Sequence, residues 1–278
     1  MPRLRIGGHV TLKPDLPDDF TFQCFILNQR FHVTPSTIDK YKTFPKLDGP
    51  SFRIVHAGYV TVPWSDKEDV RAKSFVDIER SFPICERIGI PNFLVHLPAT
   101  VLDEGAFVTQ LKTIKEVHTG STRFVLEGRA AKPGPGHVLS HDPIEVFHDY
   151  YRIVEKVFDG KIPYGFCLDT AHLFSQGLPL TTKEDAKHFI NNIKDLPITV
   201  IHLNGNKTNR GCGRDAHAGV GELTDQIWGS DHSGVVEILK WCRAQDIPII
   251  LERPHQSFPE DYDNEIALLR HWLKYSRD

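Results

Sequence analysis

Residues 165–174 read GFCLDTAHLF, an apolar run that stops at Asp169. Pro163 interrupts the segment before it, so residues 164–168 have the length and composition of a buried strand. His172 follows three residues after Asp169. Neither side chain is stable in an apolar environment without a partner, and two interpretations stay open. Either Asp169 caps a helix beside a surface histidine, or both side chains bind one metal centre.

Eight apolar runs of this kind occur along the chain. The predicted strands are residues 4–12, 20–28, 52–55, 92–95, 123–126, 164–168, 198–201 and 247–251. Most are apolar on both faces, which is typical of a parallel sheet covered by helices. Segments with helical spacing separate the strands, except after the first one. The pattern predicts one α/β domain, residues 1–278, folded as a single (β/α)8 TIM barrel with a shortened first helix.

One predicted helix contains a proline. Phe75, Ile78 and Phe82 stand at helical spacing after Asp66, and Pro83 follows within the same pattern. Proline removes a backbone donor and clashes with the preceding turn. We therefore expect a kink at this point, or a helix in two pieces.

The composition is that of an ordinary globular protein, with 40% hydrophobic and 25% charged residues among 278. The net charge of −3 gives no overall basic character, so any site for a polyanion has to be local. Five single cysteines without a C-x-x-C pair favour free thiols in a reducing compartment. The sequence has no recognisable signal peptide and no apolar run of membrane-spanning length. We expect a soluble, intracellular protein of the cytoplasm or nucleus, with no membrane partner.

The ends of the predicted strands carry residues that can bind metal. Strands three to eight end in His56, His96, Glu127, Asp169, His202 and Glu252. The sixth and seventh loops add His172, Asp215 and His217. Any one of these has an ordinary explanation as a satisfied polar residue at a strand end, but six consecutive strand ends are not explained in this way. In a (β/α)8 barrel these ends meet at the C-terminal mouth, which is where we expect a metal site.

The donor atoms of this set indicate the metal. Nine nitrogen and oxygen ligands without a thiolate favour Zn²⁺, with Mn²⁺ as a harder competitor. Nine ligands exceed the needs of one ion, so we predict a cluster of two or three.

Two loops near the predicted metal site are basic. Residues 204–214 carry Lys207, Arg210 and Arg214 without an acid, and residues 128–141 carry Arg129 and Lys132 near their start. Each loop alone is also explained as solvated surface charge. Together with divalent ions, the loops favour an anionic substrate, most simply a phosphate ester, because paired metals polarise a phosphoryl oxygen and activate water.

Seven short motifs lie in order along nearly the whole chain. They are HAGY at 56–59, VH at 95–96, LE at 126–127, CLDTAH at 167–172, HLN at 202–204, DAH at 215–217 and LERP at 251–254. As a set they resemble the signature of endonuclease IV, the second family of apurinic/apyrimidinic (AP) endonucleases. The departures from the family pattern lie in loops, as after Glu127 and His96, and remove no ligand.

The resemblance implies a trinuclear zinc enzyme that cuts the phosphodiester 5′ to an abasic site in duplex DNA. The products are a 3′-hydroxyl and a 5′-deoxyribose phosphate, and 3′-end phosphatase or phosphodiesterase activity is also implied. One ion is assigned to His56, His96 and Glu127. Glu127 then bridges to a second ion that is also bound by Asp169, His202 and Glu252. The third ion is assigned to His172, Asp215 and His217.

The resemblance also assigns roles outside the metal site. Arg30 and Tyr59, with Val60 beside Tyr59, are expected to contact DNA in the opened duplex, although without the family Arg30 is a surface charge and Tyr59 a loop aromatic. The predicted phosphate contacts are Lys207, Arg210, Arg214 and Arg129. We predict catalytic roles for Glu252 and Glu127, and a monomer whose partner is duplex DNA containing abasic sites.

Two other functions remain open. A sugar isomerase or epimerase is possible on a related metal-bearing TIM barrel, since fold does not fix function. Such enzymes need a smaller metal site and typically lack the Asp215/His217 pair. The third possibility is a DNA-binding barrel that has lost catalysis, which the intact ligand set opposes.

Overall fold

The computed structural model describes residues 3–98, 103–130, 142–253 and 259–276. Eight parallel strands close into a barrel in the order β1-β10-β7-β6-β5-β4-β3-β2, with β1 paired to β2. They are β1 (Ile6–Thr11), β2 (Phe22–Phe25), β3 (Arg53–His56), β4 (Asn92–His96), β5 (Arg123–Glu127), β6 (Tyr164–Asp169), β7 (Ile198–His202) and β10 (Ile249–Leu251). The predicted (β/α)8 barrel is confirmed. Lys132 lies outside the described residues.

Helices surround the barrel. They are α1 (Pro35–Lys42), α2 (Glu68–Ile88), α3 (Glu104–Val117), α4 (Pro143–Phe158), α5 (Thr170–Ser175), α6 (Lys183–Ile193), α7 (Ser233–Ala244) and α8 (Asp263–Tyr275), the last preceded by a 3-10 turn, Pro259–Tyr262. Residues 12–21 are all described and form no helix, so the chain passes from β1 to β2 through turns alone. None of the helices in the described ranges is both long and apolar enough to span a bilayer.

Three elements differ from the sequence-based expectation. Helix α2 continues through Pro83, so of the two expected alternatives a helix in two pieces is wrong, and a kink at Pro83 stays a prediction. Helix α5 starts immediately after Asp169 and is too short to give a helical pattern of its own. A two-stranded antiparallel ladder, β8 (Gly205–Asn206) with β9 (His217–Ala218), folds back the loop after β7.

The barrel interior explains where the site lies. A small apolar cluster fills it, one residue from each of six strands: Ile54, Leu94, Val125, Cys167, Val200 and Ile250. Side chains two positions apart on a strand point to the same face. The residues two positions later are His56, His96, Glu127, Asp169, His202 and Glu252. The six candidate ligands at the strand ends therefore form the next layer of the barrel interior, directly above an apolar floor.

One irregularity is needed to complete this layer. Phe166 pairs with Ile198 but Cys167 pairs with Val200, so Thr199 is an extra residue on β7. Gly165 leaves room for it, because a Cβ there would lie 2.0 Å from the Thr199 Oγ1. A one-residue shift reverses the face on which all later side chains lie. The bulge therefore places Asp169 opposite His202, with both side chains directed into the barrel.

Two glycines weaken the sequence pattern of β1, and the structure gives a packing reason for both. A Cβ on Gly7 would lie 1.5 Å from the carbonyl oxygen of Thr21, and one on Gly8 would lie 2.3 Å from the ring of Tyr262. The Tyr262 hydroxyl also donates to the carbonyl of His9 at 2.7 Å. Close approach of neighbouring chain segments therefore requires glycine at both positions.

Candidate metal centre

Glu127 is the centre of the site. Its side chain is 1% exposed, and His56 Nε2 and His96 Nε2 lie 3.4 and 3.3 Å from its Oε2. On the other side, His202 Nδ1 lies 3.0 Å from Oε1. Strand pairing produces this arrangement, since His96 is the direct neighbour of Glu127 in the β4–β5 register.

The potential ligand atoms form groups in which all atoms lie within 4.8 Å of one another. Two of these groups match predicted ligand sets completely: His56 with His96 and Glu127, and Glu127 with Asp169, His202 and Glu252. A third group contains Asp169, His172 and His217. A further group, Glu127 with Cys167 and His202, includes a buried thiol that the sequence had not indicated.

Asp215 is placed beside the third group. Its side chain is 60% exposed, and its two oxygens lie 3.4 Å from His172 Nε2 and 3.0 Å from His217 Nε2. Asp169 is the more buried carboxylate near these histidines, with Oδ2 at 3.5 Å from His217 Nε2. Both carboxylates can therefore complete a third site.

Asp169 caps a helix, as one of the two interpretations of the sequence expected, and it also faces the cluster of candidate ligands. Its Oδ1 accepts the backbone N–H of His172 at 2.9 Å and caps α5. Its Oδ2 accepts from Asn204 Nδ2 at 2.7 Å and faces the cluster. His172, however, is 2% exposed and is no surface histidine.

Backbone carbonyls orient two of the histidines. His56 Nδ1 donates to the carbonyl of Ala57 at 2.6 Å, and His172 Nδ1 donates to the carbonyl of Gly128 at 2.8 Å. Because Nδ1 is used in these bonds, Nε2 of each ring is the atom left to face the site. Metal-binding histidines are commonly fixed in this way.

The charges suit a cation. Burial alone would raise the pKa of Glu127, but His202 and His96 outweigh it and hold this pKa well below its ordinary value. The same balance, with His202 as the main opposing charge, lowers the pKa of Glu252 to about 2. Burial lowers the pKa of His96 to about 3, so its imidazole is neutral. Burial would lower the pKa of His172, but Asp169 and Asp215 outweigh it and raise this pKa to about 10, so the ring has to lose a proton when a metal binds.

Unpaired buried atoms provide the fit test for a metal. Among the described residues, Glu127 Oε2 and the Nε2 atoms of His172 and His217 face the candidate ligands, are buried and make no hydrogen bond. Leaving such atoms unpaired costs free energy that a bound cation removes. The nitrogen and oxygen donors therefore fit divalent ions of the zinc type.

Hydrogen bonds hold Glu252 from two sides. Gln23 Nε2 donates to its Oε1 at 2.5 Å, and Asn204 Nδ2 donates to its Oε2 at 3.2 Å. Gln23 Nε2 also lies 2.9 Å from His9 Nδ1. Sequence reasoning missed Gln23 and His9. Both residues could have been noticed as polar side chains within otherwise apolar strands. Their register with Ile54 places them on the face that points into the barrel.

A cleft of about 880 Å³ opens beside the metal groups. Tyr59, Lys207, His217 and Glu252 all line it. The Tyr59 ring is 60% exposed and stands edge-on to His56, with ring centroids 5.9 Å apart. The structure thus brings one predicted DNA contact from each of two loops to the same cleft as the ligands.

The other predicted DNA contacts lie on the surface. Arg30, Arg129, Arg210 and Arg214 are exposed, and Val60 is half-buried. Arg129 is near enough to His96 for its charge to add to the lowering of that imidazole's pKa, after burial. Sequence reasoning missed Phe31, which is 63% exposed next to Arg30.

Comparisons with known proteins agree with the barrel fold and show the family. The family model described as xylose isomerase-like TIM barrel matches residues 21–274. A probable endonuclease 4 from Chlorobium phaeobacteroides is 31% identical over 295 aligned positions, which cover 95% of this chain and 96% of the relative. A probable AP endonuclease from African swine fever virus is 28% identical, covering 77% and 72%. The crystal structure of endonuclease IV from Thermus thermophilus superposes with a TM-score of 0.71 at 19% identity, covering 98% and 100%.

Proposed function

We propose that this chain, which belongs to the endonuclease IV family of the xylose isomerase-like TIM barrels, is a metal-dependent endonuclease that hydrolyses the phosphodiester 5′ to abasic sites in duplex DNA. The products are a 3′-hydroxyl and a 5′-deoxyribose phosphate, with 3′-end phosphatase or phosphodiesterase activity at the same site. We further propose that the chain acts as a single domain and as a monomer.

The observation that carries this proposal is the set of candidate metal-binding groups that share Glu127 or Asp169, beside a cleft that Tyr59 and Lys207 also line. A phosphodiester brings one negative charge to this cleft, and a duplex brings many to its basic rim. A sugar isomerase needs no such rim and no third group near Asp215. The alternative of a sugar isomerase or epimerase is therefore supported less well.

The metal ligands in this proposal are the predicted ones. His56, His96 and Glu127 hold the first ion, and Glu127, Asp169, His202 and Glu252 hold the second. The third would be held by His172, Asp215 and His217, and Asp169 is a second carboxylate near these histidines. When bound, divalent ions polarise a phosphoryl oxygen and make water more acidic.

The protein residues supply positioning and proton transfer. Gln23 and Asn204 fix the two oxygens of Glu252, which is then placed to accept a proton from the attacking water. Glu127 belongs both to the group with His56 and His96 and to the group with Asp169, His202 and Glu252, so its carboxylate links the two. Tyr59 offers an exposed ring to the bases that flank the missing one, and Arg30 lies on the neighbouring loop.

The test is a nicking assay on a labelled duplex with one abasic site at a known position. We expect a single cut 5′ to the site, a 3′ end that a polymerase extends, and no cut in the intact duplex. Exhaustive chelation should abolish cleavage, and Zn²⁺ or Mn²⁺ should restore it. Cleavage of intact and abasic duplex at equal rates, or none with the metal restored, contradicts the proposal.

Two histidine-to-alanine substitutions, one inside and one outside the metal groups, provide a test with a matched control. His96→Ala removes a proposed ligand and should abolish the cut. His118→Ala removes a partly buried histidine whose Nε2 bonds the Thr122 carbonyl, outside the metal groups, and should leave cleavage unchanged. Turnover of ketose or aldose sugars by the protein, without nicking, would favour the isomerase alternative.

A further inference from the structure

Away from the metal groups, one buried carboxylate contacts two separate loops. Asp77 lies in the middle of α2 and is 2% exposed. The loops are the Arg30 loop, residues 26–34 between β2 and α1, and the Tyr59 loop, residues 57–67 between β3 and α2. Each loop carries a proposed DNA contact, so their relative position matters for recognition.

Both oxygens of Asp77 are used. Oδ1 accepts the backbone N–H of Val33 at 2.8 Å, and Oδ2 accepts from His32 Nδ1 at 2.6 Å, both within the Arg30 loop. The same Oδ2 accepts from the Thr61 hydroxyl at 3.1 Å, in the Tyr59 loop. Bonds to an ionised carboxylate are stronger than those between neutral groups. A single side chain thus ties the two loops to α2 and to each other.

Neighbouring contacts support this arrangement without duplicating it. Arg80 Nη1 donates to the Val33 carbonyl at 2.6 Å, and the Val62 N–H donates to Ser74 Oγ at 2.7 Å. Each of these bonds holds one loop, whereas Asp77 holds both. The loops also touch directly, since a Cβ on Gly58 would lie 3.1 Å from the Gln29 carbonyl.

We propose that Asp77 is a positioning residue that fixes the Arg30 loop against the Tyr59 loop before DNA binds. A site that is ordered in advance pays less conformational entropy when it binds. Asp77 itself touches no substrate and acts through Arg30 and Tyr59. The expected effect of Asp77 on binding of abasic DNA rests on the proposed function, whereas its effect on the position of the two loops does not.

The first test therefore uses the protein without DNA. Asp77→Asn keeps the size of the side chain and one acceptor oxygen, but its NH2 group cannot accept from His32 or Thr61. We expect faster amide hydrogen exchange in residues 28–34 and 57–62, with unchanged exchange in residues 205–218. Ser81→Ala is the control, because Ser81 is buried on the same helix and donates only to the Asp77 backbone carbonyl at 2.7 Å. Unchanged exchange in both loops overturns the proposal.

The second test measures binding and turnover. Asp77→Asn should weaken affinity for abasic duplex about tenfold, while metal content and kcat at saturating DNA stay near wild type. Arg30→Ala should then cost much less in the Asp77→Asn background than alone, because the two residues act through one loop. If the fold-losses in affinity caused by Asp77→Asn and Arg30→Ala simply multiply in the double variant, the positioning role is overturned.

Two single-bond variants guard against a folding defect in Asp77→Asn. Thr61→Val removes only the bond to the Tyr59 loop, and His32→Phe removes one bond to the Arg30 loop. Each should raise exchange in its own loop more than in the other, and equal effects in both loops would contradict the two-loop assignment. A wild-type protein that binds abasic and intact duplex equally contradicts the proposed function, and the exchange measurement still decides the role of Asp77.

Discussion

Glu252, a candidate metal ligand, has hydrogen bonds to both oxygens of its carboxylate. Gln23 and Asn204 donate to different oxygens of this one group, and Asn204 Oδ1 accepts the Glu252 N–H at 2.9 Å. Such supporting bonds fix a ligand in one orientation. A carboxylate fixed in this way can serve as a base as well as a ligand.

Glu252→Gln should separate these two roles. The amide keeps the shape and one oxygen but loses the charge and the basicity. We expect a folded protein that keeps most of its metal and binds abasic duplex, yet cleaves about 10²- to 10⁴-fold more slowly. Single-turnover cleavage and elemental analysis of the same samples check this, with Glu237→Gln on α7 as the control.

Two outcomes would contradict that expectation. Loss of one full equivalent of metal would make Glu252 chiefly structural. Cleavage at nearly the wild-type rate would remove Glu252 from the catalytic step altogether.

At this scale the sequence indicated which candidate ligands come together, but not the side chains that hold them in position. Glu127 and His202 were recognisable because each ends an apolar run, where a charged or imidazole side chain needs a partner. Gln23 and Asp77 were not, since their partners lie far away in sequence and only the closed barrel brings them together. The helix cap and the predicted metal-binding role of Asp169 could not be separated from sequence, because one oxygen of this side chain caps α5 while the other faces the candidate ligand groups.

At the scale of elements, strand order was predictable and strand register was not. Eight apolar runs alternating with helices suffice for a (β/α)8 barrel. The extra residue Thr199, in contrast, leaves no mark in an apolar strand sequence. Its location depends on the space that Gly165 leaves on the neighbouring strand.

A polar contact fastens α2 to the segment before β5, and its strength should depend on pH. Glu86 accepts from the Ser121 N–H at 2.7 Å and from Thr122 Oγ1 at 2.8 Å. Partial burial opposes ionisation, but the bonds from Thr122 and Ser121 outweigh it and lower the pKa of Glu86 below its ordinary 4.5. A depressed carboxyl pKa adds stability above the unfolded value, and this is lost as the pH falls through the folded value.

We therefore expect Glu86→Gln to lower the Tm at pH 7, and the deficit to shrink as the pH falls below 4.5. Thermal unfolding of both proteins across this range measures the effect. Glu79→Gln, on the exposed part of the same helix, should show no such trend. A deficit that stays constant with pH would mean that the bonds do not depend on the charge of Glu86.

At the scale of the whole molecule, the metal groups predict a stoichiometry. Elemental analysis of purified protein should find about three divalent ions per chain, because nine ligands fill two or three coordination shells. Ions that bind only the folded chain also stabilise it, so chelation should lower the Tm. One ion or none in active protein would contradict the cluster.

The basic loops predict a salt dependence. The affinity for abasic duplex should fall steeply with salt, and Lys207→Ala with Arg210→Ala should reduce the slope of log K against log salt by roughly 1 for each lost phosphate contact. Lys187→Ala with Lys194→Ala removes the same charge from exposed positions on or just after α6 and should leave the slope unchanged. If the wild type and both double variants have equal slopes, Lys207 and Arg210 make no phosphate contacts and are solvated surface charges.

The bulge at Thr199 has an evolutionary consequence. Each candidate ligand at a strand end lies two residues after a residue of the apolar floor, so both side chains point into the barrel. Inserting or deleting one residue between them would turn the candidate ligand to the other face of the strand. Substitutions can accumulate along these strands, but gaining or losing one residue turns a ligand away from the centre unless a second, compensating bulge arises. We therefore expect length differences among descendants of this chain to collect in the loops, while the spacing from floor to ligand stays fixed.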